Sequence, residues 1–169
     1  MKVTIIGAGN LAGHLARALE RAEVAVNEIY ARDIRKAAAL ADGLYAAVAV
    51  NSLDFTRSKS GVFFLCVSDD ALESVAAQLL LPDGAVLAHT SGARPLSVLD
   101  GATSLYHGNR VDCGVFYPLQ TFTQGVPLDF SQIPILVESE DKTALSLLIS
   151  LAKRLSGKVH QVNSRERLV

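Results

Sequence analysis

The sequence predicts an α/β fold: a doubly wound, mostly parallel sheet with helices on both faces. Three observations carry this reading. Short apolar runs rich in β-formers, such as Val3, Ile5 and Ile6 and then Gly61-Val62-Phe63-Phe64-Leu65-Cys66-Val67, have the pattern of strands covered on both sides. Stretches with apolar residues at helical spacing alternate with them, beginning with Leu11, Leu15, Ala18, Leu19 and Ala22. The first strand also passes into the first helix through a glycine turn, Gly7-Ala8-Gly9-Asn10-Leu11-Ala12-Gly13.

That turn has the layout of a Rossmann-type phosphate site. Gly7 permits the tight turn, Gly9 lets the backbone approach a pyrophosphate, and the small Ala12 lets helix and strand pack closely. The helix start adds unpaired N–H groups and the positive end of its dipole. A second strand over residues 24–30 ends at Ala31-Arg32, with Asp33 after it. An acid at this place takes the ribose 2′-hydroxyl of NAD, whereas an Arg accommodates the 2′-phosphate of NADP. Asp33 is better placed as the N-cap of the next helix, which leaves Arg35 and Lys36 in its first turn. Cations there oppose the helix dipole, so Arg32, Arg35 and Lys36 point to a phosphate. The alternative is a solvated face with weak Arg32–Asp33 or Arg35–Glu28 pairs.

The second helix, through Ile34, Ala37, Ala38, Leu40 and Ala41, stops at Gly43 as a C′ glycine. Residues 45–50 read as a third strand, 51–55 as a turn or short helix, and 56–60 as a surface loop. The fourth strand ends at Val67-Ser68-Asp69-Asp70, where Ser68 or Asp69 caps a helix with the face Leu72, Val75, Ala76, Leu79 and Leu80. The two aspartates read as capping acids rather than as catalytic or metal-binding carboxylates. Pro82-Asp83-Gly84 turns into a fifth strand that delivers His89-Thr90-Ser91-Gly92-Ala93, a loop with a potential acid/base and two hydroxyls. His89 and Ser91 are the candidate catalytic residues. In the alternative reading His89 bonds backbone and Ser91 caps a short helix at 95–99. Residues 106–111 lead into an aromatic-rich strand, Cys113-Gly114-Val115-Phe116-Tyr117, broken by Pro118 and followed by Leu119-Gln120-Thr121-Phe122. A turn at Gly125-Val126-Pro127, a strand at 134–137, a helix with the face Ala144, Leu147, Leu148, Leu151 and Leu155, and a strand at 159–162 complete the domain. Glu138, Glu140 and Asp141 read as acids near the start of that helix.

Composition narrows the classes. The 169 residues, 50% hydrophobic and 20% charged, suit one domain with a sizeable core. A formal net charge of -1 and the lack of a basic, aromatic-interleaved patch argue against nucleic acid as a partner. No apolar run approaches the ~20 residues of a membrane helix, and the chain reads as cytoplasmic. Cys66 and Cys113 read as reduced, buried thiols. The four histidines show no metal-ligand spacing, so no metal is expected.

Together, Gly7-Ala8-Gly9-Asn10-Leu11, Ala31-Arg32, Leu65-Cys66-Val67-Ser68-Asp69-Asp70, His89-Thr90-Ser91-Gly92 and Gly114-Val115-Phe116-Tyr117-Pro118-Leu119-Gln120-Thr121-Phe122 resemble the Rossmann-like NADP oxidoreductases whose C-terminal helical domain has no assigned function. That family is related to pyrroline-5-carboxylate reductase, the β-hydroxyacid dehydrogenases and the deazaflavin-dependent NADP reductases. The resemblance implies that backbone at Gly9, Asn10 and Leu11 holds the pyrophosphate, Arg32 the 2′-phosphate of NADP, and Val67 and Ser68 the nicotinamide-side ribose. It places the His89–Ser91 loop at the reaction site. It also implies a cofactor-binding domain over 1–162, a start of a linker or helix over 163–169, and a helical domain beyond that completes the substrate site and forms a homodimer. The expected function is therefore hydride transfer between NADP(H), rather than NAD(H), and a small-molecule substrate. A non-catalytic dinucleotide-sensing module is the rival, and a methyltransferase a weaker one, since its site would want an acid where this chain has Arg32.

Overall fold

The computed structural model describes residues 1–103 and 109–168. Its order is β1 (Lys2–Ile6), α1 (Asn10–Arg21), β2 (Ala25–Tyr30), α2 (Ile34–Ala41), β3 (Val48–Val50), β4 (Val62–Leu65), α3 (Leu72–Gln78), β5 (Ala85–His89), β6 (Val111–Pro118), β7 (Ile135–Ser139), α4 (Lys142–Leu155), β8 (Val159–Gln161) and α5 (Ser164–Arg167). The strands form one sheet in the order β3-β2-β1-β4-β5-β6-β7-β8. Every neighbouring pair is parallel except β6 with β7. The chain direction across the sheet reverses between β1 and β4, and in such sheets ligands lie outside the carboxyl ends at that point.

Both faces of the sheet are covered because its strands are apolar on both sides. On one face Ile5, Phe64, Phe116 and Val137 pack with Leu15 and Leu19 of α1, Ala37 of α2 and Leu148 and Leu151 of α4. On the other, Ile6, Phe63, Leu65 and Leu87 pack with Leu72 and Ala76 of α3 and with Leu99 of the 3-10 turn Leu96–Thr103. The Phe64 and Phe116 rings meet edge to face with centroids 5.0 Å apart. Thr4 is buried but satisfied, donating to Glu28 Oε1 and accepting from the Ser60 hydroxyl.

Several expectations are corrected. The third strand is only Val48–Val50, because residues 45–47 leave the sheet and Tyr45 is 96% exposed. Gly43 follows α2 at C′, yet its backbone is not left-handed, and its N–H returns to the Leu40 carbonyl. Neither Ser68 nor Asp69 makes a side-chain cap. A 3-10 turn, Asp69–Ala71, leads into α3, where Asp69 and Asp70 still sit as first-turn acids. The segment 56–60 is not wholly surface, since Ser60 is buried against Thr4. Asp141 caps α4 by accepting from Ala144 N–H, whereas Glu138 belongs to β7. The lead-in from Tyr106 lies outside the described residues for 106–108, and so does Val169.

Residues 163–167 form a capped turn docked on the domain. Asn163 and Glu166 make a reciprocal capping box around α5. Arg167 is buried, with Nη2 3.2 Å from Glu138 Oε2 and Nη1 donating to the Ser91 carbonyl. Ser164 Oγ donates to Glu138 Oε1 and accepts from Leu96 N–H.

Truncating Phe116 to Ala is expected to lower stability by about 3–5 kcal/mol in urea unfolding. Tyr45→Ala, at an exposed side chain, should change it by no more than about 0.5 kcal/mol.

Candidate functional site

The carboxyl ends of β1, β2 and β4 open onto a cleft of about 1160 Å³. Its floor is the turn after β1. Gly7 has φ +129°, a conformation that residues with a Cβ rarely adopt, and a Cβ there would collide with the carbonyl of Cys66. The turn is fastened on both sides: Gly7 N–H donates to the Tyr30 carbonyl at 2.8 Å, and Cys66 N–H donates to the Ile6 carbonyl at 2.8 Å. Gly9 is the N-cap of α1 and offers no side-chain acceptor, and no acid lies in the first turn. A Cβ on Gly9 would meet nothing within 4 Å, so the protein itself leaves the space in front of this helix start open. The N–H groups of the first turn, including Asn10 and Leu11, therefore lack the side-chain acceptor that usually serves them. The Asn10 side chain is engaged elsewhere, donating to the Phe122 carbonyl at 3.3 Å, while His14 Nε2 lies 2.9 Å from the Thr123 carbonyl.

The far wall of the cleft is the end of β2. Tyr30, Ala31, Arg32, Asp33 and Lys36 line it. Asp33 caps α2 as expected, accepting from Arg35 N–H, and it also pairs with the Arg35 guanidinium. This contact holds the exposed Asp33 carboxyl below its ordinary range. Arg35 is thereby turned away from the cleft, and neither pairing considered from the sequence forms. Glu28 instead accepts from Thr4, Asn27 and Ser58. Arg32 is exposed, and among the described residues its guanidinium has no ion-pair partner. Lys36, three residues into α2, faces the same space. Among the described residues two of the three cations on this wall, Arg32 and Lys36, form no ion pair, and the third is paired with the Asp33 cap.

The near wall carries Cys66, Val67, Ser68 and Asp70, with Ser74, Val75 and Gln78 of α3 beside them. Val67 is half-buried and Ser68 is exposed, with no side-chain cap bond. Burial pushes the Cys66 thiol up to about 12, so it is a neutral group in this wall and not a nucleophile. Asp70 read from the sequence as a capping acid, and Ser74 and Gln78 were not singled out. A helical spacing of four from Asp70 through Ser74 to Gln78 was the available signal.

The loop after β5 does not supply the expected acid/base side chain. His89 is completely buried: Nδ1 accepts from Ser91 N–H at 3.1 Å, which leaves Nε2 to donate to the Pro95 carbonyl at 3.1 Å. Burial pushes the imidazole down to about 4, and the nearby Arg167 charge acts in the same direction. Both ring nitrogens are occupied, so His89 holds the loop and does not move protons. Ser91 Oγ accepts from Ala93 N–H, which is a turn contact and not a cap on the following 3-10 turn. Neither side chain lines the cleft. The residues that fix this loop, Arg167 and Glu138, lie in the tail and in β7, and no local sequence pattern links them. Among the described residues no group of three His, Cys, Asp or Glu is arranged to hold a metal ion, and no helix is long and apolar enough to cross a membrane.

The strand order, the glycine turn and the open start of α1 define the class: a Rossmann-type domain, the architecture of dinucleotide-binding dehydrogenases. The chain belongs to the Rossmann-like domain family, whose pattern matches residues 1–106. Its fold is shared with a protein of Bacteroides fragilis provisionally named an NADP oxidoreductase, at 28% identity and a TM-score of 0.84, over 99% of this chain and 62% of that one. Prephenate dehydrogenase from Aquifex aeolicus, solved with hydroxyphenyl propionate and NAD+, matches at 16% identity and a TM-score of 0.79, over 99% of this chain and 61% of that one. An imine reductase from Aspergillus terreus, solved with NADPH4 and a dibenzazepine, matches at 16% identity and a TM-score of 0.71, over 96% of this chain and 55% of that one. The chain thus spans about three fifths of the length of these structures. No curated protein matches it.

Two outcomes follow from this geometry. Gly7→Ala should lower stability by several kcal/mol, whereas Gly9→Ala should stay within about 1 kcal/mol, both read by urea unfolding. His89 binds its proton more weakly when folded than when unfolded, so its contribution is fully present above pH 6.5 and is lost as pH falls toward about 4. The unfolding free energy should therefore rise between pH 4 and 6.5 by an amount on the order of 3 kcal/mol, and His89→Asn should flatten that slope.

Proposed function

We propose that this chain is the NADP-binding domain of an oxidoreductase that transfers hydride between NADP(H) and a small substrate. The observation that carries the proposal is a single cleft holding both an uncapped helix start behind Gly9 and two cations, Arg32 and Lys36, without an ion-pair partner among the described residues. The open space in front of Gly9 fits a pyrophosphate, with the N–H groups of Asn10 and Leu11 as donors. Arg32 is the planar donor for a ribose 2′-phosphate, and Lys36 adds a second positive charge beside it. Val67 and Ser68 are the positions for the nicotinamide-side ribose. A bound nicotinamide dinucleotide supplies the hydride chemistry, and the protein's part is to bind it, orient it and exclude water.

The rival reading, a dinucleotide-sensing module without turnover, draws support from one observation: both His89 ring nitrogens are spent on backbone and the Ser91 side chain does not line the cleft.

Saturating NADPH, at ~100 times its Kd, should stabilise the chain by ~2.7 kcal/mol and raise its Tm by roughly 5–10 °C. NADH should give a smaller shift at the same concentration. Arg32→Asp should weaken NADPH roughly 10- to 100-fold in calorimetric titration and leave NADH nearly unchanged. Equal affinities for the two cofactors in the unmodified chain would overturn the NADP assignment.

A further inference from the structure

Tyr117 is the last residue but one of β6, and its side chain reaches the same edge of the sheet as the cleft. Register places it. Leu65 pairs with His89 and His89 with Val115, so the carboxyl ends of β4, β5 and β6 lie side by side, with Val67 and Ser91 just past the ends of β4 and β5 and Tyr117 still within β6. Val67 lines the cleft, and β6 runs two strand spacings, about 10 Å, from β4. The alternation of β6 sends Phe116 into the core under α1 and α4 and turns Tyr117 to the opposite face, the face that Val67 also uses. There the Tyr117 ring lies against Gly92. A Cβ at Gly92 would overlap the ring, standing 2.5 Å from Cε1 and 2.7 Å from the hydroxyl oxygen. Gly92 is therefore the residue that leaves room for the ring. The ring is half-buried, and among the described residues its hydroxyl makes no hydrogen bond. A half-buried phenol normally finds a partner for its O–H, so a free one beside a ligand cleft is an unspent donor.

We propose that the Tyr117 hydroxyl is the hydrogen-bond donor that receives the polar atom of the substrate, a carbonyl oxygen or an imine nitrogen, at the nicotinamide end of the cleft. The proposal rests on the dinucleotide reading above, since that reading directs the nicotinamide from Gly9 toward Val67 and the ends of β5 and β6. His89 has no donor left for this task, and the buried Ser91 hydroxyl, which accepts from Ala93 N–H, does not line the cleft. The Tyr117 ring lies directly against Gly92, the residue after Ser91. A carboxylate-only or phosphate-only substrate would want a cation here, and Tyr117 supplies a neutral donor suited to C=O or C=N.

The test uses the full chain with 13C-labelled tyrosine rings. Tyr117→Phe, which keeps the ring on Gly92, identifies the Tyr117 signal, and Tyr30 at the β2 end of the cleft reports on the adenosine half. NADP+ should shift both Tyr30 and Tyr117 and give an NOE between the Tyr117 ring and nicotinamide protons. Adenosine 2′,5′-bisphosphate should shift Tyr30 alone. With NADP+ bound, 2-pyrrolidinone, an unreactive cyclic carbonyl acceptor, should shift Tyr117 saturably and bind roughly five- to tenfold more weakly to Tyr117→Phe. Gly92→Ala, which displaces the ring but keeps the hydroxyl, should lose the NOE and the carbonyl response while binding adenosine 2′,5′-bisphosphate unchanged. If Tyr30 responds to NADP+ and Tyr117 does not, or if the carbonyl binds the Phe variant equally well or does not bind at all, the Tyr117 assignment is overturned. If neither tyrosine responds to NADP+, it is the dinucleotide reading that falls.

Discussion

The structure depends on one steric constraint, the absence of a side chain at Gly7. At φ +129° the chain leaves β1 so closely against the end of β4 that a Cβ would overlap the Cys66 carbonyl. The same turn exchanges backbone hydrogen bonds with both neighbours, through Tyr30 of β2 and through Cys66 after β4. It is therefore the pivot at which three parallel strands end in register. Only with this turn does α1 begin directly over the sheet edge, where its dipole and free N–H groups face the cleft instead of solvent.

A second constraint works from the other side of the sheet. The buried Arg167–Glu138 pair joins the tail to β7, and Arg167 also holds the Ser91 carbonyl while Ser164 holds the Leu96 N–H. Two charges withdrawn from water attract each other strongly but give up comparable hydration, so such a pair adds little net stability. What it does fix is geometry, because leaving either charge alone in the interior is costly. Both ends of the loop after β5 are tied to α5, and His89 closes the loop internally through its two ring nitrogens. These bonds hold the loop, and neither the His89 nor the Ser91 side chain lines the cleft.

The parallel strands were legible because they are apolar on both faces, and the cleft's floor because the residues after Val3-Thr4-Ile5-Ile6 allow little but a glycine turn. Asp33 was readable as a cap, since a short acid before a helical run has a local reason to be there. The failures share a cause. Tyr45 has strand-forming chemistry, but a sheet edge with no further neighbour gives it nothing to pair with. Glu138 and Arg167 owe their roles to contacts across 29 to 76 positions, and a reading based on spacing sees only the nearer ones. Glu138 looked like a helix acid because acids do gather there, and its buried partner sits 29 positions further on, beyond α4 and β8.

The polar side chains at the two ends of the cleft are left unspent for the same physical reason. A protein satisfies its buried and half-buried polar groups internally wherever it can, as Glu28, Asp33, His89 and Ser91 all do here. Arg35 obeys this rule through Asp33, although it lies within three residues of Arg32. Among the described residues the exposed Arg32 and Lys36 at the β2 end form no ion pair, the first-turn N–H groups behind Gly9 have no side-chain acceptor, and the half-buried Tyr117 hydroxyl at the β6 end has no hydrogen bond, all along one edge of one sheet. Scattered exceptions would be ordinary surface chemistry. Exceptions aligned from cation through helix start to neutral donor have the polarity of a dinucleotide laid across that edge, phosphate-rich at one end and a reactive carbon at the other.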